Sequence, residues 1–127
     1  MHSEDDLIKY RIQRANESLD EARILSQSNH WNTVVNRLYY AVFYAVNALL
    51  VKFKLNSFSH SGTKTVFNQE FIKSGKLDRE HGKLYNNLFS KRHEGDYQDF
   101  QIFDEKTISP LIIKVEDFIH AIESLLY

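Results

Sequence analysis

The chain has 127 residues, 43% of them hydrophobic and 26% charged, with a formal net charge of −1, one proline, four glycines and no cysteine. That length fits one domain, residues 1–127, with a core that needs no staples, and the absence of thiols excludes a disulfide framework and thiolate zinc sites. The acidic start MHSEDDLIKY lacks the apolar region of a secretory signal, so a cytoplasmic setting is expected. The near-zero charge is unevenly spread: residues 1–51 hold 5 basic and 6 acidic groups, residues 52–93 hold 9 and 3, and residues 94–127 hold 2 and 8. A basic middle third suits phosphate contacts, and it equally suits pairing of one helix with another inside the fold.

The first helix is expected from Asp5 to Gln27, with Ser3 or Glu4 near its cap and Ile8, Ile12, Ala15, Leu19 and Ala22 as its apolar stripe. Ser28, Asn29 and His30 break the pattern, and so short a link makes the next helix an antiparallel neighbour. That second helix, Trp31 to Phe53, carries two adjacent stripes: Trp31, Val35, Leu38, Val42, Ala45 and Leu49, then Tyr39, Phe43, Val46, Leu50 and Phe53. Apolar over so wide an arc, it must sit among several neighbours, with Val42 and Phe43 in the core. Arg37, Asn36 and Asn47 interrupt it, which argues against a membrane span. Its remaining arc bears Asn36, Arg37, Tyr40, Tyr44 and Asn47, large polar side chains that suit an interface, and a homodimer is expected there.

KLNSFSHSG then reads as a loop, with Ser59 or Ser61 capping a short third helix through Ile72, edged by Val66, Phe67 and Phe71. SGKLD, Ser74 to Asp78, reads as a turn. A fourth helix follows, with Leu77, Leu84, Tyr85, Leu88 and Phe89 inward and Gly95 as its end. The last helix carries Leu111, Val115, Phe118, Ile122 and Leu125 beside Ile112, Ile119 and Leu126. It starts either at the pair Ser109–Pro110 or earlier, at Asp104, with Pro110 inside it. The architecture is an all-α antiparallel up-and-down bundle of four long helices and one short one.

Arg92 falls on the inward arc of the fourth helix, between the angles of Leu88 and Phe89. A guanidinium there needs a carboxylate, a carbonyl or a phosphate. Either it pairs with Asp96, Asp99 or another acid, or it forms an anion site with Lys91 and His93 nearby. No histidines stand in the zincin spacing and no Walker or Rossmann loop occurs, so no metal or cofactor is expected. His60, in SHSG, suits a helix cap or an acid/base. Asp96, Asp99 and Asp104 do not match a calcium loop.

The run NRLYYAVFYAVNALL (36–50), then HSGTKTVFNQEFIKSG (60–75), then LFSKRHEGDYQDF (88–100), resembles the HEPN superfamily, in its branch of small stand-alone prokaryotic proteins. The resemblance implies a helical bundle, frequent homodimers, and pairing with a minimal nucleotidyltransferase in toxin-antitoxin-like modules. Many members are metal-independent ribonucleases whose motif is Arg, four to six residues, then His. Here Arg92 is followed by His93, Glu94, Gly95, Asp96 and Tyr97, so the motif is not intact. Arg23 and His30 have the spacing but lie at the first helix and its link. The expected function is a non-catalytic dimeric module binding a nucleotidyltransferase or nucleic acid, through Asn36, Arg37, Tyr40, Tyr44, Arg92, Asp96 and Tyr97. Arg92 is expected to pair with Asp96, leaving the Tyr97 hydroxyl to a partner that transfers nucleotidyl groups. The alternatives are a ribonuclease using Arg92 with His93, His60 or His81, and a plain interaction bundle.

Overall fold

A computed structural model describes the backbone at residues 3–97 and 102–127 and the side chains at residues 3–93 and 102–127. Helix α1 spans Glu4–Ser26, α2 Trp31–Lys52, α3 His60–Phe67, α4 Arg79–Tyr97 and α5 Glu105–Leu126, and a π turn at Asn68–Ile72 continues α3. Apart from α2, whose cap residue His30 makes no side-chain hydrogen bond, the helices start where a side chain can serve the first orphan amides. Ser3 and Asp6 form a reciprocal capping box on α1, Ser59 Oγ accepts from the Gly62 amide at 2.9 Å, and Asp78 Oδ1 accepts from the Glu80 amide at 2.8 Å. Asp104 caps α5 through the Thr107 amide at 2.9 Å, which settles the open choice at the last helix. Pro110 therefore lies inside α5, where it deprives the Lys106 carbonyl of its helical donor.

The direction of each helix follows from the contacts at its ends. Lys54, just beyond α2, pairs with Glu4 at the start of α1 at 3.0 Å, so α1 and α2 are antiparallel. The Phe103 amide, just before α5, donates to Asn32 at the start of α2 at 2.9 Å, so these two run the same way. Arg92, late in α4, reaches Tyr40 on the first half of α2, which makes α4 antiparallel to both. The result is an all-α, up-and-down bundle. Arg23 ties the end of α1 to Glu116 on α5.

All six members of the first α2 stripe are buried, as are Val34, Ala41 and Ala48. The helix packs against α1, α3, α4 and α5. By length and composition α2 is apolar enough to cross a bilayer, but the surface a bilayer would take is already covered by the other helices. Phe67, Phe71, Tyr85 and Phe118 fill the layer between α3, α4 and α5, with Phe67 5.5 Å from Phe118 and 5.6 Å from Tyr85 between ring centroids. Gly82 permits this close approach: a Cβ there would stand 2.8 Å from Asn68 Oδ1 and 3.1 Å from Ile72.

Three sequence expectations change. Phe53 lies just beyond α2 and is exposed rather than part of its buried stripe. Phe43 is half-buried rather than in the core, since its ring lies on the rim of the bundle, whereas Val42 is fully buried. Gly95 does not end α4, which continues through Tyr97. A glycine inside a helix costs only about 1 kcal/mol, so without a left-handed turn it does not stop one.

Two substitutions test this packing. Phe118→Ala should cost about 3–5 kcal/mol in denaturant unfolding, because a fully buried ring with three aromatic neighbours leaves a cavity. Tyr85→Phe should leave stability unchanged or slightly raised, since the buried Tyr85 hydroxyl has no hydrogen-bond partner among the described residues. A loss above about 1 kcal/mol for Tyr85→Phe would mean that the hydroxyl is served.

Candidate functional site

The half-exposed strip of α2, bearing Asn36, Arg37, Tyr40, Phe43, Tyr44 and Asn47, meets α3 and α4 where His60 and Arg92 converge on it. The tyrosine pair at 39 and 40 straddles the edge of the core. Tyr39 is fully buried and Tyr40 half-buried, and each hydroxyl needs a partner. Tyr39 Oη is 2.7 Å from Nδ1 of His60, at the first turn of α3. Tyr40 Oη accepts from Arg92 Nη2 at 3.1 Å.

The Arg92 guanidinium also lies over both rings, 5.1 Å from the Tyr39 centroid and 5.2 Å from that of Tyr40. Such cation–π contacts contribute about 0.5–2 kcal/mol. His60 stacks on Phe43 at 4.3 Å with 16° between the planes, and meets Tyr40 edge-on at 6.0 Å. Burial holds the His60 imidazole below its ordinary range, and the nearby Arg92 charge adds to the effect. The Tyr39 phenol is pushed up to about 12, chiefly by burial, and stays neutral at physiological pH. A guanidinium thus stands beside a neutral, half-exposed imidazole, one ring nitrogen of which is occupied by Tyr39.

Two more arginines continue the strip. Arg37 stacks 5.3 Å over Tyr40 and donates to Asn36 Oδ1 at 2.7 Å, and Arg14 of α1 stacks 5.3 Å over Tyr44. Their ion pairs with Glu21, at 3.5 Å, and Glu17, at 2.9 Å, involve partly or largely exposed groups, for which water competes. Beside Arg92 a pocket of about 220 Å³ is lined by Asn32, Thr33, Val35, Asn36, Lys91 and Phe103. Another, of about 290 Å³, lies between α4 and α5 around His81, Leu84 and Lys114, away from these groups and of mixed charge.

The structure brings together Arg92, His60 and Tyr40, with Asn36, Arg37 and Tyr44 along the same face. His93 is exposed, one residue past half-buried Arg92, and His81 packs edge-on against Phe118 at 5.6 Å, between α4 and α5. Asp96 and Tyr97 lie outside the described side chains, and so does the expected Arg92–Asp96 pair. Because α4 persists through Tyr97, Arg92 and Asp96 stand at i and i+4 of one helix. Asp99 also lies outside the described residues, and Asp104 is engaged as the α5 cap. Sequence reasoning assigned Tyr39 to the core stripe of the second helix. The adjacent pair Tyr39–Tyr40 was the available signal, since buried hydroxyls must find partners.

The sequence model of the HEPN domain family matches residues 8–125. A UPF0332 protein of Thermotoga maritima is 42% identical over 126 residues, covering 99% of this chain and 96% of the relative. Two proteins of Methanocaldococcus jannaschii are provisionally named toxins. One is 37% identical over 86 residues, 68% of this chain and 58% of the relative; the other is 29% identical over 119 residues, 94% and 88%.

The His60 environment sets a pH dependence. Because its folded form is held below the ordinary value, the unfolded chain binds the proton more readily. The stability His60 contributes is therefore complete above the unfolded value, about 6.5, and is lost as pH falls through the lower folded value. Thermal melts should show a shallower acid-side decline for His60→Gln than for wild type, and identical declines would remove this assignment.

Proposed function

The chain belongs to the HEPN family, and on that premise we propose that it is a cytoplasmic, non-catalytic module of a toxin-antitoxin-like system, binding RNA or a nucleotide through the Arg92 face of α2. The observation that carries this reading is the guanidinium of Arg92, 5.1 and 5.2 Å from the ring centroids of Tyr39 and Tyr40 and bonded to the Tyr40 hydroxyl. Arginine planes and aromatic rings together form the kind of surface that takes phosphates and stacked bases of single strands. Arg37 and Arg14, on Tyr40 and Tyr44, extend that surface along α2. The provisional toxin names of two relatives support a place in such a system. In this reading the protein acts as a homodimer, and a minimal nucleotidyltransferase is its protein partner.

A second reading is favoured by one observation, the convergence of His60 with Arg92 on the Tyr40 ring. A neutral imidazole could take the 2′-hydroxyl proton as that oxygen attacks phosphorus, while Arg92 stabilises charge on the phosphorane. The bond to the 5′-oxygen would break, water would protonate that oxygen, and a cyclic phosphate would remain. The chain would then be a metal-independent ribonuclease.

One set of measurements separates the readings. Wild-type protein should bind single-stranded RNA with an affinity that falls as salt rises, should leave the RNA intact in EDTA, and should lose binding in Arg92→Ala. Sedimentation at tens of micromolar should show a dimer. Cleavage in EDTA that disappears in both Arg92→Ala and His60→Gln, with folding kept, would replace the first reading by the second.

A further inference from the structure

His60 is not matched by the family's histidine spacing, and it stands on a different helix from Arg92. Its ring is nevertheless built into the same cluster: stacked on Phe43, bonded through Nδ1 to Tyr39 and set against the Tyr40 edge. Arg92 reaches the same two tyrosines, 5.1 and 5.2 Å from their centroids, with His60 at 5.8 and 6.0 Å. Two groups capable of positive charge therefore meet on one pair of tyrosine rings. We infer that His60 and Arg92 together form a proton-gated clamp for a single phosphate group, with His60 as the second contact, engaged when its ring carries two protons.

This inference rests on the reading of the Arg92 face as a phosphate-binding surface and adds its regulation. Without a ligand, protonation of His60 is opposed by burial and by the neighbouring guanidinium. The surrounding groups do not relieve that opposition. From α2 the ring faces Tyr39, Tyr40 and Phe43, all uncharged rings at physiological pH. From α4 it faces Arg92. On its own helix the nearest cation, Lys64, lies over Phe89 at 4.4 Å, and the hydroxyls of Ser57, Ser59 and Thr63 are engaged with one another and with the Gly62 amide. Among the described residues no carboxylate is hydrogen-bonded to the imidazole.

A bound phosphate oxygen changes this balance. It neutralises the charge of Arg92 and offers the imidazolium an acceptor, so ligand and proton bind with positive linkage. The His60 ring cannot swing away to avoid the charge, because Phe43 and Tyr39 hold it. The protein would then grip a nucleic-acid phosphate more tightly in mildly acidic conditions.

The test uses the full chain. Side-chain NMR would follow the His60 titration in chloride and in sulfate at equal ionic strength, with sulfate as a dianionic stand-in for phosphate and His60→Gln identifying the resonance. Sulfate should raise the midpoint in wild type by about one unit, equivalent to tenfold tighter sulfate binding by the protonated form, and Arg92→Ala should abolish the rise. In parallel, affinity for a short oligouridylate should increase about tenfold from about pH 8 to about pH 5.5 in wild type and stay level in His60→Gln. A midpoint that sulfate does not move in folded wild type overturns the clamp. RNA binding with the same pH profile in His60→Gln also overturns it, while leaving the nucleic-acid reading standing. Sulfate that raises the midpoint without RNA binding at any pH supports the clamp and removes the nucleic-acid reading.

Discussion

The burial of α2 is the constraint on which the rest of the structure depends. A helix apolar around most of its circumference has only one stable position, enclosed by the other elements, and here α1, α3, α4 and α5 all pack against it. One narrow strip remains half-exposed. Any polar group on α2 must lie in that strip or be satisfied within the core, and Tyr40 and Tyr39 illustrate the two cases. Their hydroxyls draw in the only kinds of neighbour that can serve them there: a guanidinium from α4 and an imidazole from the start of α3.

The electrostatics of the site follow from that placement. Desolvation near the core disfavours charge on His60 and on Tyr39, and the Arg92 guanidinium meets two rings and a phenol oxygen there. The surrounding ion pairs of Arg14 and Arg37 are weaker, since water competes for their partly exposed acids. Guanidiniums set against aromatic rings favour an anion nearby. The surplus of cations in residues 52–93 gives the α3–α4 side of the bundle a long-range bias in the same direction. Lys91, beside Arg92 in the pocket that opens toward the start of α2, belongs to that surplus.

The sequence by itself determined the helices and their inward faces. The stripes of α1 and α2 are read directly from spacing, because burial imposes a period of 3.6 residues and the residues that obey it are Ile8, Ile12, Ala15, Leu19 and Ala22 in one case and Trp31 through Leu49 in the other. Local chemistry narrowed the caps to Ser3 or Glu4, Ser59 or Ser61, and Ser109 or Asp104, since a helix start needs an acceptor within three residues, and the structure chose Ser3, Ser59 and Asp104. The family, too, was legible, in three short blocks whose order matters more than any single one. What only the tertiary structure decided is where the ends and rims lie. The fold carried α4 through Gly95, moved Phe43 from the core to the rim, and put Pro110 inside α5. The pairing of His60 with Tyr39 joins residues 21 positions apart, and that of Arg92 with Tyr40 spans 52. Periodicity reports which face of a helix turns inward but carries no information on which side chain from another helix will meet it, so the site became visible only when the bundle closed around α2.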